Sequence, residues 1–315
     1  MSRYRIAANV EWTSKCNAVC AMCPRDAIAR PQLMKPETWR TVLTRLKPAE
    51  IFRVVLAGYG EPTTHPRFFD FIDSLRGHPV RFDMVSNGHL LDPDKLAHLD
   101  GVLHTVIVSF SSIVPEVYAR VHVKLDQRRV MANLQAAQAM LKHTRLAISL
   151  TPMPECLPSL PETIGWLRAQ GIETLTMSPT LYNRAGNLGE HNLASAHLHA
   201  MISRYRLRSQ EMDFIPTAGE IFRQWRANHF KCVPRNVDLF IAAGGDYLYC
   251  YNDVSHAHAI GHVDDDAVAD ILSRREAMTA RPGLCDTCNM RHRYGPGELV
   301  QGGLAYLRSR LQAPT

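Results

Sequence analysis

Apolar and polar residues follow two rhythms along roughly the first 180 positions. Short β-branched runs recur at residues 5–11, 51–57, 80–85, 102–110, 145–151 and 173–177. The stretches between them carry a helical period, clearest at 128–141 and at 36–46, where Pro36 opens the helix. Strand–helix alternation of this kind predicts successive βα units and a parallel sheet. Six such units predict an α/β fold, a partial (βα)6 TIM-like barrel short of eight-unit closure, with ligands bound beyond the C-terminal strand ends. Functional residues are then expected just after each strand. Residues 190–210 read as a further helix. From about residue 215 the rhythm breaks into short strands at 239–242 and 247–251, Gly-Gly turns and four cysteines. That predicts a small metal-stabilised C-terminal domain with a closing helix at 297–311. The expected division is a barrel over 1–210 and an auxiliary domain over 211–315.

Composition narrows the functional classes. At 315 residues and 46% hydrophobic, the chain can bury a full core. No apolar run reaches the about 18–20 residues that span a bilayer, and the N-terminus lacks the basic-then-apolar pattern of a secretion signal. A cytoplasmic protein with no membrane partner is expected. The net charge of +6 comes from scattered arginines rather than a block, so nucleic acid is not an expected partner. Eight cysteines in such a chain point to metal binding or chemistry rather than disulfides.

Three of them, Cys16, Cys20 and Cys23, follow the first predicted strand within one loop. Structural zinc sites and ordinary clusters take four protein ligands. A compact triplet therefore suggests a [4Fe–4S] cluster whose fourth iron binds an exogenous molecule. The spacing Cys-x3-Cys-x2-Cys after a first barrel strand resembles the signature of the radical S-adenosylmethionine (SAM) superfamily, and the resemblance covers residues 5 to about 185. It implies that the exogenous molecule is SAM. Gly58-Tyr59-Gly60-Glu61-Pro62 resembles the family's Gly-Gly-Glu-like segment, whose backbone and carboxylate meet the SAM ammonium group. Asn87, in Ser86-Asn87-Gly88, and Ser109 stand where the family contacts SAM, and Arg120 suits the SAM carboxylate. Gly58 and Gly60 equally suit a tight turn, and Arg120 a solvated surface. Met22 replaces the aromatic residue that many relatives carry before the third cysteine; methionine also packs on adenine. The implied chemistry is reductive cleavage of SAM to a 5′-deoxyadenosyl radical that abstracts a substrate hydrogen, with electrons from a donor such as flavodoxin or ferredoxin.

Cys232, Cys250, Cys285 and Cys288 form a second set, suited by spacing to zinc or to a second, auxiliary [4Fe–4S] cluster. Gly245 to Cys250 resembles the Gly-x4-Cys turn of the twitch and SPASM auxiliary-cluster regions, which favours iron–sulfur. The spacing is similar to that of radical SAM 2-deoxy-scyllo-inosamine dehydrogenases and, more loosely, of radical SAM carbohydrate epimerases of the neomycin C type. A small-molecule substrate, a sugar or aminocyclitol, is implied. Arg184, in Asn183-Arg184-Ala185-Gly186, resembles a segment of the same group that faces SAM or substrate, and equally suits a turn cap.

After hydrogen abstraction the carbon radical either gains a hydrogen atom, giving an epimer, or loses an electron, giving a ketone. Epimerisation requires a donor thiol. Cys156 belongs to neither set and follows the fifth strand, so it is the first candidate, although an isolated cysteine is often a small buried hydrophobe; Cys250 is the second. Dehydrogenation requires the auxiliary cluster as electron acceptor and a base, for which Glu155, His256, His258 and His292 are candidates. Epimerisation is placed slightly ahead. Maturation of a ribosomal peptide is a further reading, lowered by the first strand lying at the very start of the chain with no added peptide-binding domain.

Overall fold

The computed structural model describes residues 5–24, 27–28, 31–178, 195–210, 238–278, 283–286, 288 and 304. Arg184 and its neighbours, Cys232, His292 and all of the expected closing helix except Leu304 lie outside the described residues.

The expected βα alternation is present. Strands β1 (Ile6–Val10), β2 (Ile51–Leu56), β3 (Arg81–Ser86), β4 (Thr105–Ser109), β5 (Arg145–Leu150) and β6 (Leu175–Met177) pair in parallel in that order. Between them run α1 (Pro36–Arg45), α2 (Phe68–Asp73), α3 (Pro93–Leu99), α4 (Pro115–Val121), α5 (Gln127–Met140) and α6 (Leu160–Ala169). Helix starts obey local chemistry. Pro36 and Pro93 occupy the first turns of α1 and α3, Asp92 accepts the Lys95 N–H at 2.9 Å, and Asp126 caps α5 through the Arg128 and Arg129 N–H groups. After β6 come α7 (Ser195–Arg204), inside the expected 190–210 helix, and the two-residue strand β7 (Arg208–Ser209) at the sheet edge.

The fourth strand begins later than its apolar run. Gly101 sits at φ +77° in a turn, and the Asp100 carboxylate accepts the N–H groups of Lys142, His143 and Thr144. This polar clasp spends residues 100–103 on a turn before pairing begins.

The C-terminal strands do not stand apart from the sheet. β8 (Asp238–Ile241) pairs in parallel with β1, and β9 (Asp246–Leu248) and β10 (Ala259–His262) continue it antiparallel, giving the order β10-β9-β8-β1-β2-β3-β4-β5-β6-β7. Asn9 donates to the buried Asp238 carboxylate at 2.5 Å. Arg275, on α8 (Val268–Ala277), donates to the Asp238 carbonyl at 2.8 Å, and Arg45 of α1 donates to the carbonyls of Val263 and Asp264. The expected boundary at 210/211 therefore falls where the chain leaves one sheet edge and rejoins beside β1. Under the first strand, Trp12 meets Trp39 and Phe71 edge-on, each at 5.4 Å between ring centroids, anchoring α1 and α2. Among the described residues no helix is long and apolar enough to cross a membrane.

Candidate active site

The cysteine loop is pinned at its base and near its middle. At the base, Thr13 bridges Leu33, Met34 donates to the Trp12 carbonyl at 2.8 Å, and Ser14 donates to the Gln32 carbonyl at 3.1 Å. Further along, Val19 donates to the Val123 carbonyl and Ala21 to the Val121 carbonyl, both at 2.9 Å. Cys16, Cys20 and Cys23 are half-buried and unoxidised on this clamped loop. The Ala18 N–H approaches the Cys16 Sγ at 3.4 Å and the Asn87 amide approaches it at 3.9 Å. N–H donors around a ligand sulfur suit a thiolate carrying cluster charge, so the donor set fits an iron–sulfur group.

The segment after β2 presses on this loop. A Cβ on Gly60 would lie 2.1 Å from the Thr13 carbonyl oxygen and 2.5 Å from that of Lys15, and Glu61 donates its N–H to Lys15 at 2.9 Å. Glycine at 60 is thus required by backbone-to-backbone approach. At Gly58 the same test meets the Glu11 side chain at 2.5 Å.

Glu61 is buried, and both carboxylate oxygens are engaged within the chain. Oε1 accepts the Thr63 hydroxyl at 2.6 Å and the Ser86 hydroxyl at 2.8 Å, and Oε2 accepts the Asn87 N–H at 2.7 Å. Burial raises its pKa, with the hydrogen bonds from Thr63, Asn87 and Ser86 opposing. The carboxylate ties the ends of β2 and β3 together. Asn87 in turn donates to the Asn17 side chain at 2.7 Å, fixing the third strand end to the cysteine loop. Ser109 ends β4 half-buried. Arg120 is exposed on α4, and its charge reaches Cys156.

Cys156 is buried and shares one apolar cluster with Met22, Val121 and Met153, against which Cys20 packs. Burial first, and the Glu155 charge second, push its thiol up to about 12, with Arg120 opposing. The fifth strand end thus delivers this thiol to the cysteine loop, while Glu155 stands exposed.

Of the second set, Cys250 is buried and Cys285 and Cys288 are half-buried. Asn252 links two of them. Its backbone N–H points at the Cys250 Sγ at 3.5 Å and its side-chain amide at the Cys288 Sγ at 3.6 Å. Cys285 ends a short 3-10 turn, Gly283–Cys285. Residues far apart in the chain are here drawn together, with N–H donors on sulfur again.

Sequence reasoning missed three residues. Asn252 is one. Glu11, the first residue past β1, is 1% exposed, and its Oε1 accepts the Tyr59 N–H at 2.7 Å. Burial raises its pKa, against the Tyr59 N–H, the His256 charge and the Ala243 N–H. His256, a predicted candidate, lies near enough to act on Glu11 electrostatically, has φ +56°, and buries an unpartnered Nε2. His258 is half-buried, with its backbone N–H on Asp253 at 2.8 Å. The strand-end rule was the signal that pointed to Glu11. The third is His122, wholly buried, whose imidazole burial pulls down to about 4; nothing in the sequence marks it.

Comparison with known proteins follows this geometry. Residues 10–157 match the family model of the Radical SAM superfamily. A stretch of 107 residues is 34% identical to an S-adenosylmethionine-dependent nucleotide dehydratase of Thermoplasmatales archaeon (strain ISO4-H5), covering 34% of this chain and 38% of that protein. The chain thus matches well under half of that relative's length. In fold, the chain is similar to Streptococcus suis SuiB bound to precursor peptide SuiA, with TM-score 0.68, 12% identity, and coverage of 91% of this chain and 70% of SuiB. It is also similar to BtrN in complex with AdoMet and 2-DOIA, with TM-score 0.54, 17% identity, and coverage of 92% and 94%. At these identities the two likenesses establish the fold alone.

Proposed function

We propose, from the match of residues 10–157 to the Radical SAM superfamily, an enzyme that removes a hydrogen atom from a carbinol carbon of a sugar or aminocyclitol and leads to its epimer. Cys16, Cys20 and Cys23 would hold a [4Fe–4S] cluster and Cys232, Cys250, Cys285 and Cys288 an auxiliary one, in a barrel region over 1–210 and an auxiliary region over 211–315. When bound, the first cluster and SAM would supply the 5′-deoxyadenosyl radical, fed by a reductant such as flavodoxin or ferredoxin; for epimerisation the same class of reductant, with a solvent proton, would also restore the donor thiol, and for dehydrogenation the auxiliary cluster would accept the substrate's electron. The backbone at Gly58 and Gly60, with Asn87 and Ser109, would frame SAM at the strand ends. Glu61 serves by holding two of those ends in register, and Arg120 would meet the SAM carboxylate.

The observation that carries epimerisation is Cys156. Its side chain is buried in the cluster of residues that includes Met22 and abuts Cys20, and its pKa of about 12 keeps the S–H intact at neutral pH. A protonated thiol retains the hydrogen atom that a carbon radical must receive. The second reading is dehydrogenation, favoured by Glu11. A buried carboxylate with its pKa raised by burial, within electrostatic reach of His256, suits a base for the hydroxyl proton that leaves as the ketone forms.

Anaerobic turnover in deuterated water separates the two. Epimerisation places one solvent deuterium on carbon and consumes one SAM per product, and Cys156→Ala abolishes it while 5′-deoxyadenosine is still formed. A carbonyl product that survives in Cys156→Ala and is lost in Glu11→Gln establishes the second reading. Absence of 5′-deoxyadenosine with any sugar, aminocyclitol or peptide overturns the common premise.

A further inference from the structure

Cys20 and His122 face each other across a short antiparallel contact. The backbone bonds from Val19 to Val123 and from Ala21 to Val121 bracket the pair, so their side chains meet as a cross-strand couple. The His122 Nδ1 lies 3.8 Å from the Cys20 Sγ, and its Nε2 lies 3.0 Å from the Ser111 Oγ. The Tyr118 ring lies 4.7 Å away between centroids, and the His122 backbone N–H donates to the Tyr118 carbonyl at 2.7 Å.

Ser111 faces the other ring nitrogen and bears on which one carries the proton. Its Oγ already accepts the Thr151 N–H at 3.2 Å, and a hydroxyl has one hydrogen to give. Among the described residues, the acceptor it meets is the His122 Nε2. A hydroxyl that gives its one hydrogen to Nε2 leaves the imidazole hydrogen on Nδ1, toward the cysteine sulfur, and this tautomer is part of the inference.

We infer that His122 is a positioning residue for the first iron–sulfur cluster. Through Nδ1–H it donates to the Cys20 thiolate, orients that ligand and raises the cluster's reduction potential. A donor on a ligand sulfur stabilises the reduced form, which carries the extra negative charge, more than the oxidised form. The inference rests on the reading of Cys16, Cys20 and Cys23 as cluster ligands.

The test uses the full chain, reconstituted anaerobically with iron and sulfide and poised at stepped potentials. The readout is the paramagnetic signal that changes when SAM is added. His122→Phe, similar in bulk but without a donor, is expected to shift the midpoint to lower potential at undiminished iron content. His122→Gln keeps an N–H donor and is expected to stay near the parent. Ser111→Ala releases the tautomer without touching either partner and should fall between. An unmoved midpoint in fully loaded His122→Phe overturns the inference and leaves the ligand assignment standing. If that variant does not load, an unmoved midpoint in Ser111→Ala overturns it instead. A parent chain that binds no iron at Cys16, Cys20 and Cys23 overturns the ligand reading itself.

Discussion

The two cysteine sets are built in opposite ways. The first lies within eight consecutive residues, on a loop whose base is zipped by Thr13, Ser14 and Met34 and whose middle is stitched to Val121 and Val123. The second reaches its site from separate segments, with Asn252 directed at both Cys250 and Cys288. A local loop needs only its own closure to present its thiols. A dispersed set needs β8 seated on β1, β9 on β8 and β10 on β9 before its thiols meet. The difference teaches that the first site should survive damage to the C-terminal strands, whereas the second should fail with them.

Replacing one cysteine in each set gives the largest contrast. Cys20→Ala should lower iron by about half and abolish 5′-deoxyadenosine formation. Cys285→Ala should lower iron similarly yet leave SAM cleavage measurable. Iron analysis and chromatography of the nucleoside product check both; equal loss of cleavage in the two variants would break the contrast.

The seat of β8 should respond to pH through Asp238. Burial raises its carboxyl to about 7, despite the Asn9 hydrogen bond and the Arg275 charge. The unfolded chain gives up this proton near pH 4, so stability is full below that point and falls as pH rises through 7. The expected loss is about 4 kcal/mol. Asp238→Asn should flatten the decline in denaturant midpoints between pH 4 and 8. An unchanged slope would remove Asp238 as its source.

Gly60→Ala tests the clamp on the first loop. The added methyl has two carbonyl oxygens in its way, so the variant should lose about 2–3 kcal/mol in denaturant unfolding. Its iron loading should drop selectively at the first site. The smallest effect is expected for Asn252→Ala, which removes the side-chain donor to Cys288 but keeps the backbone donor to Cys250. Metal affinity at the second site should weaken about 10–100-fold, read by competition with a chelator.

How much of this was legible in sequence divides along the same line. The βα rhythm marked each of β1 to β6 because each is a compact apolar run, and Pro36 marked the start of α1. The edges moved where polar chemistry intervened, as at Asp100 and Gly101. The positions of Gly58 and Gly60 were legible; their contact with Glu11 and with the Thr13 and Lys15 carbonyls was not, because it joins two strand ends. The resemblance marks Glu61 as a carboxylate that meets SAM; its hydrogen bonds with Thr63, Ser86 and Asn87 are a further use, set by the neighbouring strand. Asn252 and His122 carried no local mark at all, since each acts on a sulfur distant in the chain.

The amino-acid order alone determined the alternation of elements and the proximity of Cys16, Cys20 and Cys23. These follow from spacing within a few residues. The tertiary structure decided that β8 extends the sheet beside β1, that Cys156 is packed near the cysteine loop, and that His122 faces Cys20. Those pairings depend on which buried surfaces find one another across long stretches of chain, and local sequence does not encode a partner that lies a hundred residues away.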